Sequence, residues 1–98
     1  MLSSFFHKIP LDTLEKNQNA IIRELHFNRN VSQNEADSEA LDMERKLLEF
    51  GFYEGASIKI LHFGPIGRDP MIVLLHENQI IALRKREAKA IFVEVISP

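Results

Sequence analysis

Four histidines, His7, His26, His62 and His76, are the side chains best suited to chemistry in this sequence. They stand singly and far apart, without the close pairs at i, i+2 or i, i+4 that let metal ligands converge, so the sequence offers no metal site. His62 and His76 are expected on strand faces or ends, without a task. Glu35, Asp37, Glu39, Asp42 and Glu44 belong to a solvated loop and helix face. An apolar pocket that would shift a carboxyl pKa for acid or base work is not suggested there. Cysteine is absent, which removes disulfides, thiolate metal sites and a thiol nucleophile. No serine occupies a nucleophile elbow, and no Walker sequence is present. The reading is therefore not an enzyme, with no catalytic residue, no bound metal and no cofactor.

The elements that would position these groups fit one small domain. The 98 residues are 45% apolar with a net charge of -2, enough for one core but not two. One domain over residues 1–98 is expected, its core spanning about 9–95. The spread of Lys and Arg argues against the basic field of nucleic-acid binders. Only Arg84, Lys85, Arg86 and Lys89 suggest RNA, and they read equally as a solvated turn. The start, "MLSSFFHKIP", lacks the cationic and apolar regions of a signal peptide, and no run approaches the roughly 20 apolar residues of a membrane span. A cytoplasmic protein is expected.

"LDTL" (11–14) reads as one helical turn and "AIIRELHF" (20–27) as a strand. The polar tract at 28–40 reads as a mobile loop running into a helix capped by Asp37 or Ser38. Ala40, Met43, Leu47 and Phe50 then form one apolar stripe along a helix of about three turns. Gly51 stops that helix in the left-handed region, with Phe52 packed on Leu47. Tyr53-Glu54-Gly55-Ala56 suits a type II turn, Gly55 supplying its positive φ. Neither glycine opens a helix, so neither reads as a phosphate cradle.

"SIKILHF" (57–63), "MIVLL" (71–75), "IIAL" (80–83) and "AIFVEVI" (90–96) are four short strands. "GPIGRDP" (64–70) joins the first two as a loop stiffened by two prolines, and "HEN" (76–78) is a tighter turn. With the early strand, this makes a mainly β domain of about five strands with one substantial helix, spaced as in a small barrel. "MIVLL" and "IIAL" are apolar on both faces, and Phe92 has the opposite parity from Ile91, Val93 and Val95. A homo-oligomer is one way to cover that surface.

"RKLLEFGFYEGASIKIL", "GPIGRDPMIV" and "IIALRKREAKAIFV", in this order, resemble the FeoA domain of ferrous iron transport across residues 9–95. The resemblance implies an SH3-like β-barrel in the cytoplasm that assists the membrane ferrous-iron transporter FeoB, whose cytoplasmic part binds GTP. The family label sometimes carries transition-metal binding. Similar domains end iron-dependent repressors, so a metal-responsive regulatory domain is the alternative. Three features depart from the family pattern: Glu54 where proline often precedes the turn glycine, Arg68 inserted between Gly67 and Asp69, and the long polar tract. An aromatic groove for proline-rich peptides is not expected, since tryptophan is absent and Tyr53 is the one tyrosine. The expected docking element is Pro65, Ile66, Gly67, Arg68 and Asp69, with Ile66 at the tip of a pre-ordered loop and Tyr53 as a second contact.

Overall fold

The computed structural model describes residues 7–27 and 35–97. Its strands are β1 (Ile9–Pro10), β2 (Asn19–Leu25), β3 (Ser57–Ile66), β4 (Asp69–Leu75), β5 (Gln79–Leu83) and β6 (Ile91–Ser97). A helical turn at Leu11–Thr13, helix α1 (Glu35–Phe50) and short helix α2 (Lys85–Lys89) complete the described elements. All strand pairings are antiparallel, in the order β1-β6-β2-β3-β4-β5. The sheet has six strands rather than about five and does not close, so the expected barrel is a loose one. The extra strand is two residues ending in Pro10, too short to carry a period-2 signal.

Alternation places one face inside. Met71, Val73 and Leu75 of β4 are buried while Ile72 and Leu74 lie half-buried on the other face. The core joins these to Leu11, Leu14, Ile22, Leu47, Phe52, Ile58, Ile60, Leu83, Ile91 and Val93. Phe92 lies on the opposite face from Ile91 and Val93, half-buried beneath the His26 ring at 4.9 Å. No helix among the described residues is long and apolar enough to cross a membrane.

Helix α1 has 16 residues, about four and a half turns, and begins before the expected caps. Residues 35–40 of the polar tract are therefore helical, not loop. Asp37 and Ser38 sit inside the helix, and their side chains, like residues 28–34, lie outside the described set. Glu and Ala are good helix formers, and "EADSEA" needs no apolar stripe of its own to continue a helix that Ala40 and Leu47 dock. Phe50 departs from the expected stripe, being 43% exposed.

The stop at Gly51 follows the sequence reading. Its φ is +104°, Gly51 N–H donates to Leu48 O at 3.1 Å, and Phe52 N–H donates to Leu47 O at 2.9 Å. These two bonds make a Schellman motif, and Phe52 and Leu47 are both fully buried. Gly55 has φ +96°, and Ala56 N–H donates to Tyr53 O at 3.0 Å, closing the type II turn.

The segment "GPIGRDP" is a β-hairpin rather than a loop. β3 runs through Gly64 and Pro65 to Ile66, which pairs with Asp69. Between the pairs Phe63↔Met71 and Ile66↔Asp69 the register shifts, with Gly64 and Pro65 opposite Pro70. A bulge is where a strand tolerates a residue without an N–H, so two prolines do not end the pairing. A Cβ on Gly64 would collide with the Asp69 carbonyl, which explains glycine at that position. Gly67 (φ +63°) and Arg68 (φ +64°) form the two-residue connection, both left-handed as a type I′ turn requires.

Candidate functional site

The β3–β4 hairpin end carries five of the residues expected to meet a partner, and the structure fixes its shape from both sides. Arg68 does not point outward as a free charge. Its Nη2 donates to Leu14 O at 2.5 Å and, more weakly, to Asp12 O at 3.4 Å. The guanidinium lies 3.9 Å from the Phe63 ring centroid, and Nη1 is 3.7 Å from Glu15 Oε1. The carbonyls at the end of the helical turn have no helical partners and are open to a side-chain donor. A planar cation with several donors suits both carbonyls and an aromatic face.

On the other side of the tip, Asp69 Oδ1 accepts from Lys85 N–H at 3.2 Å and lies 3.8 Å from Arg84 Nη1. The hairpin tip is thus tied to the segment after β1 through Arg68 and to α2 through Asp69. Between these anchors Ile66 is 80% exposed, an isoleucine held in water by a rigid support. Pro65 and Gly67 flank it and are also exposed.

Tyr53 is not part of this site. It precedes β3, whereas Ile66 ends it, so the ten-residue strand lies between them. Tyr53 is 49% exposed and packs on His76, ring centroids 5.2 Å apart. His76, expected to be without a task, has one. Its Nε2 lies 3.0 Å from Gly51 O, an acceptor, so this nitrogen carries the proton and donates. His76 therefore ties the β4–β5 turn to the end of α1. Both His76 (φ 55°) and Glu77 (φ 64°) are left-handed, a conformation "HEN" does not announce.

An open groove of about 720 Å³ runs between α1 and α2. Glu87, the one buried charged residue described, lies at its wall, 6% exposed. Lys46 Nζ is 2.6 Å from its Oε2, and Arg84 N–H donates to its Oε1 at 2.8 Å. Both carboxylate oxygens are committed, one to joining the helices and one to starting α2, so Glu87 is a brace rather than a free acid or base. The spacing from Arg84 to Glu87 is that of a helix start and its third residue, a signal that could have flagged this pair from sequence.

The histidines stay apart, and among the described residues no three His, Asp or Glu side chains group as metal ligands. His26 Nε2 reaches Glu24 Oε2 at 2.6 Å, and Lys8 Nζ reaches Glu24 Oε1 at 2.8 Å. The Lys8 hydrogen bond, then that of His26, holds the Glu24 carboxyl below its ordinary pKa. This cluster is a surface clip between the start of the described chain and β2.

No curated protein matches the sequence. Among solved structures, a FeoA-like protein from Clostridium acetobutylicum superposes with a TM-score of 0.68 at 26% identity, covering 93% of this chain and 90% of that one. FeoA of Stenotrophomonas maltophilia superposes with a TM-score of 0.64 at 27% identity, covering 87% and 88%. That protein was solved with zinc and is described as a prokaryotic SH3 domain protein, a candidate ferrous iron transport activating factor. A manganese-dependent transcriptional repressor superposes at 0.70 but with 13% identity, over 91% of this chain and 37% of the repressor, a likeness of fold alone. The family model for the FeoA domain matches residues 9–95, nearly all of the sheet, both helices and the anchored hairpin, and the chain belongs to the FeoA family.

Proposed function

We propose that the protein is an accessory factor of ferrous iron transport in the cytoplasm. It docks through its β3–β4 hairpin on the cytoplasmic, GTP-binding part of a FeoB-type transporter and carries out no chemistry of its own. Family membership supports the transport role. One observation carries the choice of surface: Ile66 is 80% exposed on a hairpin that Arg68 and Asp69 hold in place. An apolar side chain presented on a pre-ordered support loses little entropy on binding and can fill a partner pocket. Pro65 and Gly67 beside it leave the isoleucine sterically accessible.

The test is Ile66→Ser alone, because Arg68 also serves the fold. The variant should keep its melting temperature, since a substitution at so exposed a site usually costs within about 0.5 kcal/mol. Co-purification with the transporter's cytoplasmic part should weaken about tenfold or more, the behaviour of a central anchor residue. Ile66→Ser protein that co-purifies as well as wild type refutes the docking assignment.

A further inference from the structure

Charge is unevenly placed along this chain. Helix α1 is acidic in sequence, "EADSEALDMERKLLEF", whereas "RKREAK", from Arg84 through α2, is basic. The one acid of that segment, Glu87, is buried with Lys46 Nζ 2.6 Å away, so it does not offset the cations around it. Arg86 Nη2 lies 3.7 Å from Glu39 Oε1, across the groove. Arg84, its side chain 69% exposed, meets Asp69 only at 3.8 Å. Lys85 is exposed, and its side chain makes no ion pair among the described residues.

The hairpin register sets two of these cations beside Ile66. Ile66 and Asp69 are a cross-strand pair, so their side chains leave the same face of the hairpin. On that face Asp69 Oδ1 meets Lys85 N–H at 3.2 Å and Arg84 Nη1 at 3.8 Å. The start of α2 therefore stands one side chain's reach from the exposed isoleucine, with two cations set against one half-buried carboxylate. We infer that the docking surface is larger than the hairpin: Ile66 is its apolar anchor, Arg84 and Lys85 are its charged rim, and the partner presents an apolar socket bordered by carboxylates. This rests on the hairpin docking proposed above and adds the partner's chemistry. An apolar centre within a polar rim is the usual anatomy of an interface. Exposed rim charges act mainly by steering encounter, whereas a buried anchor sets how long the complex lasts. A basic border on the partner would meet Arg84 and Lys85 in repulsion.

Binding kinetics of the full chain on the immobilised cytoplasmic part of the transporter, at low salt and at about 1 M salt, test this. Wild-type association should slow about tenfold between the two, as the screening length falls to about 3 Å. Lys85→Glu should slow association at low salt roughly fivefold with dissociation little changed, and the effect should vanish at high salt. Its side chain holds no contact in the fold, so the variant should melt with wild type. Arg45→Glu makes the same change of charge on the flank of α1 turned away from the groove and should act far less. Ile66→Ser should speed dissociation and keep the salt dependence of association. If Ile66→Ser behaves so but Lys85→Glu only matches Arg45→Glu, the acidic border is overturned and the hairpin docking stands. Ile66→Ser without effect overturns both. Lys85→Glu that binds the transporter like wild type yet loses binding of single-stranded RNA would also overturn the inference, and would assign the cations to nucleic acid.

Discussion

Replacing Arg68 with alanine should unfold the protein at a markedly lower temperature, although the residue sits at an exposed turn. Its hydrogen bond to Leu14 O, at 2.5 Å from a charged donor, contributes about 1.5 kcal/mol. The longer contact to Asp12 O at 3.4 Å adds little. The guanidinium over Phe63 adds about 0.5 kcal/mol at a partly exposed site. The pair with Glu15, at 3.7 Å between two exposed groups, is screened and adds almost nothing. The loss is about 2 kcal/mol, which in a domain of this size lowers the melting temperature by about 10 °C. Glycine at the same position also loses the anchor, but it accepts φ +64° without a Cβ clash and should recover about 1 kcal/mol of the alanine loss. Thermal and urea unfolding of the three proteins, followed by circular dichroism, separates anchor from backbone. Alanine within a degree or so of wild type would refute the anchor, and glycine below alanine would refute the left-handed turn.

Gly51→Val should cost about 2 kcal/mol, because φ is +104° and the new Cβ would stand 3.2 Å from His76 Nε2. In a His76→Ala background the crowding disappears and the backbone share of the loss remains, which thermal unfolding of the four-protein set would resolve. Glu24 titrates below its ordinary range when folded, chiefly through Lys8 and then His26, so its contribution is present above the unfolded pKa. That contribution is lost as pH falls through the lower folded value. Glu24→Gln should therefore reduce the slope of stability against pH at the acid end of the carboxylate range, as urea titrations at stepped pH would show.

What could be read directly from the sequence is what local chemistry dictates. Gly51 and Gly55 each have one cheap conformation to offer at a helix end and a type II turn, and both adopt it. Parity set Phe92 on the opposite face from Ile91 and Val93 without knowledge of the partner strands. The family order of these segments was equally legible. Tertiary structure decided where an intrinsic preference was weak or a partner lay far along the chain. "GPIGRDP" looked like a loop because proline removes a donor, yet a bulge facing Pro70 lets the strand continue, and only the paired strand shows it. Arg68 looked like a surface charge, but its acceptors lie more than fifty positions earlier, at Leu14 and Asp12. The pairs Lys46–Glu87 and His76–Gly51 are likewise set by how α1 docks. Spacing along the chain carries no information about which distant carbonyl or carboxylate a long polar side chain will meet, because burial of the apolar core brings those groups together.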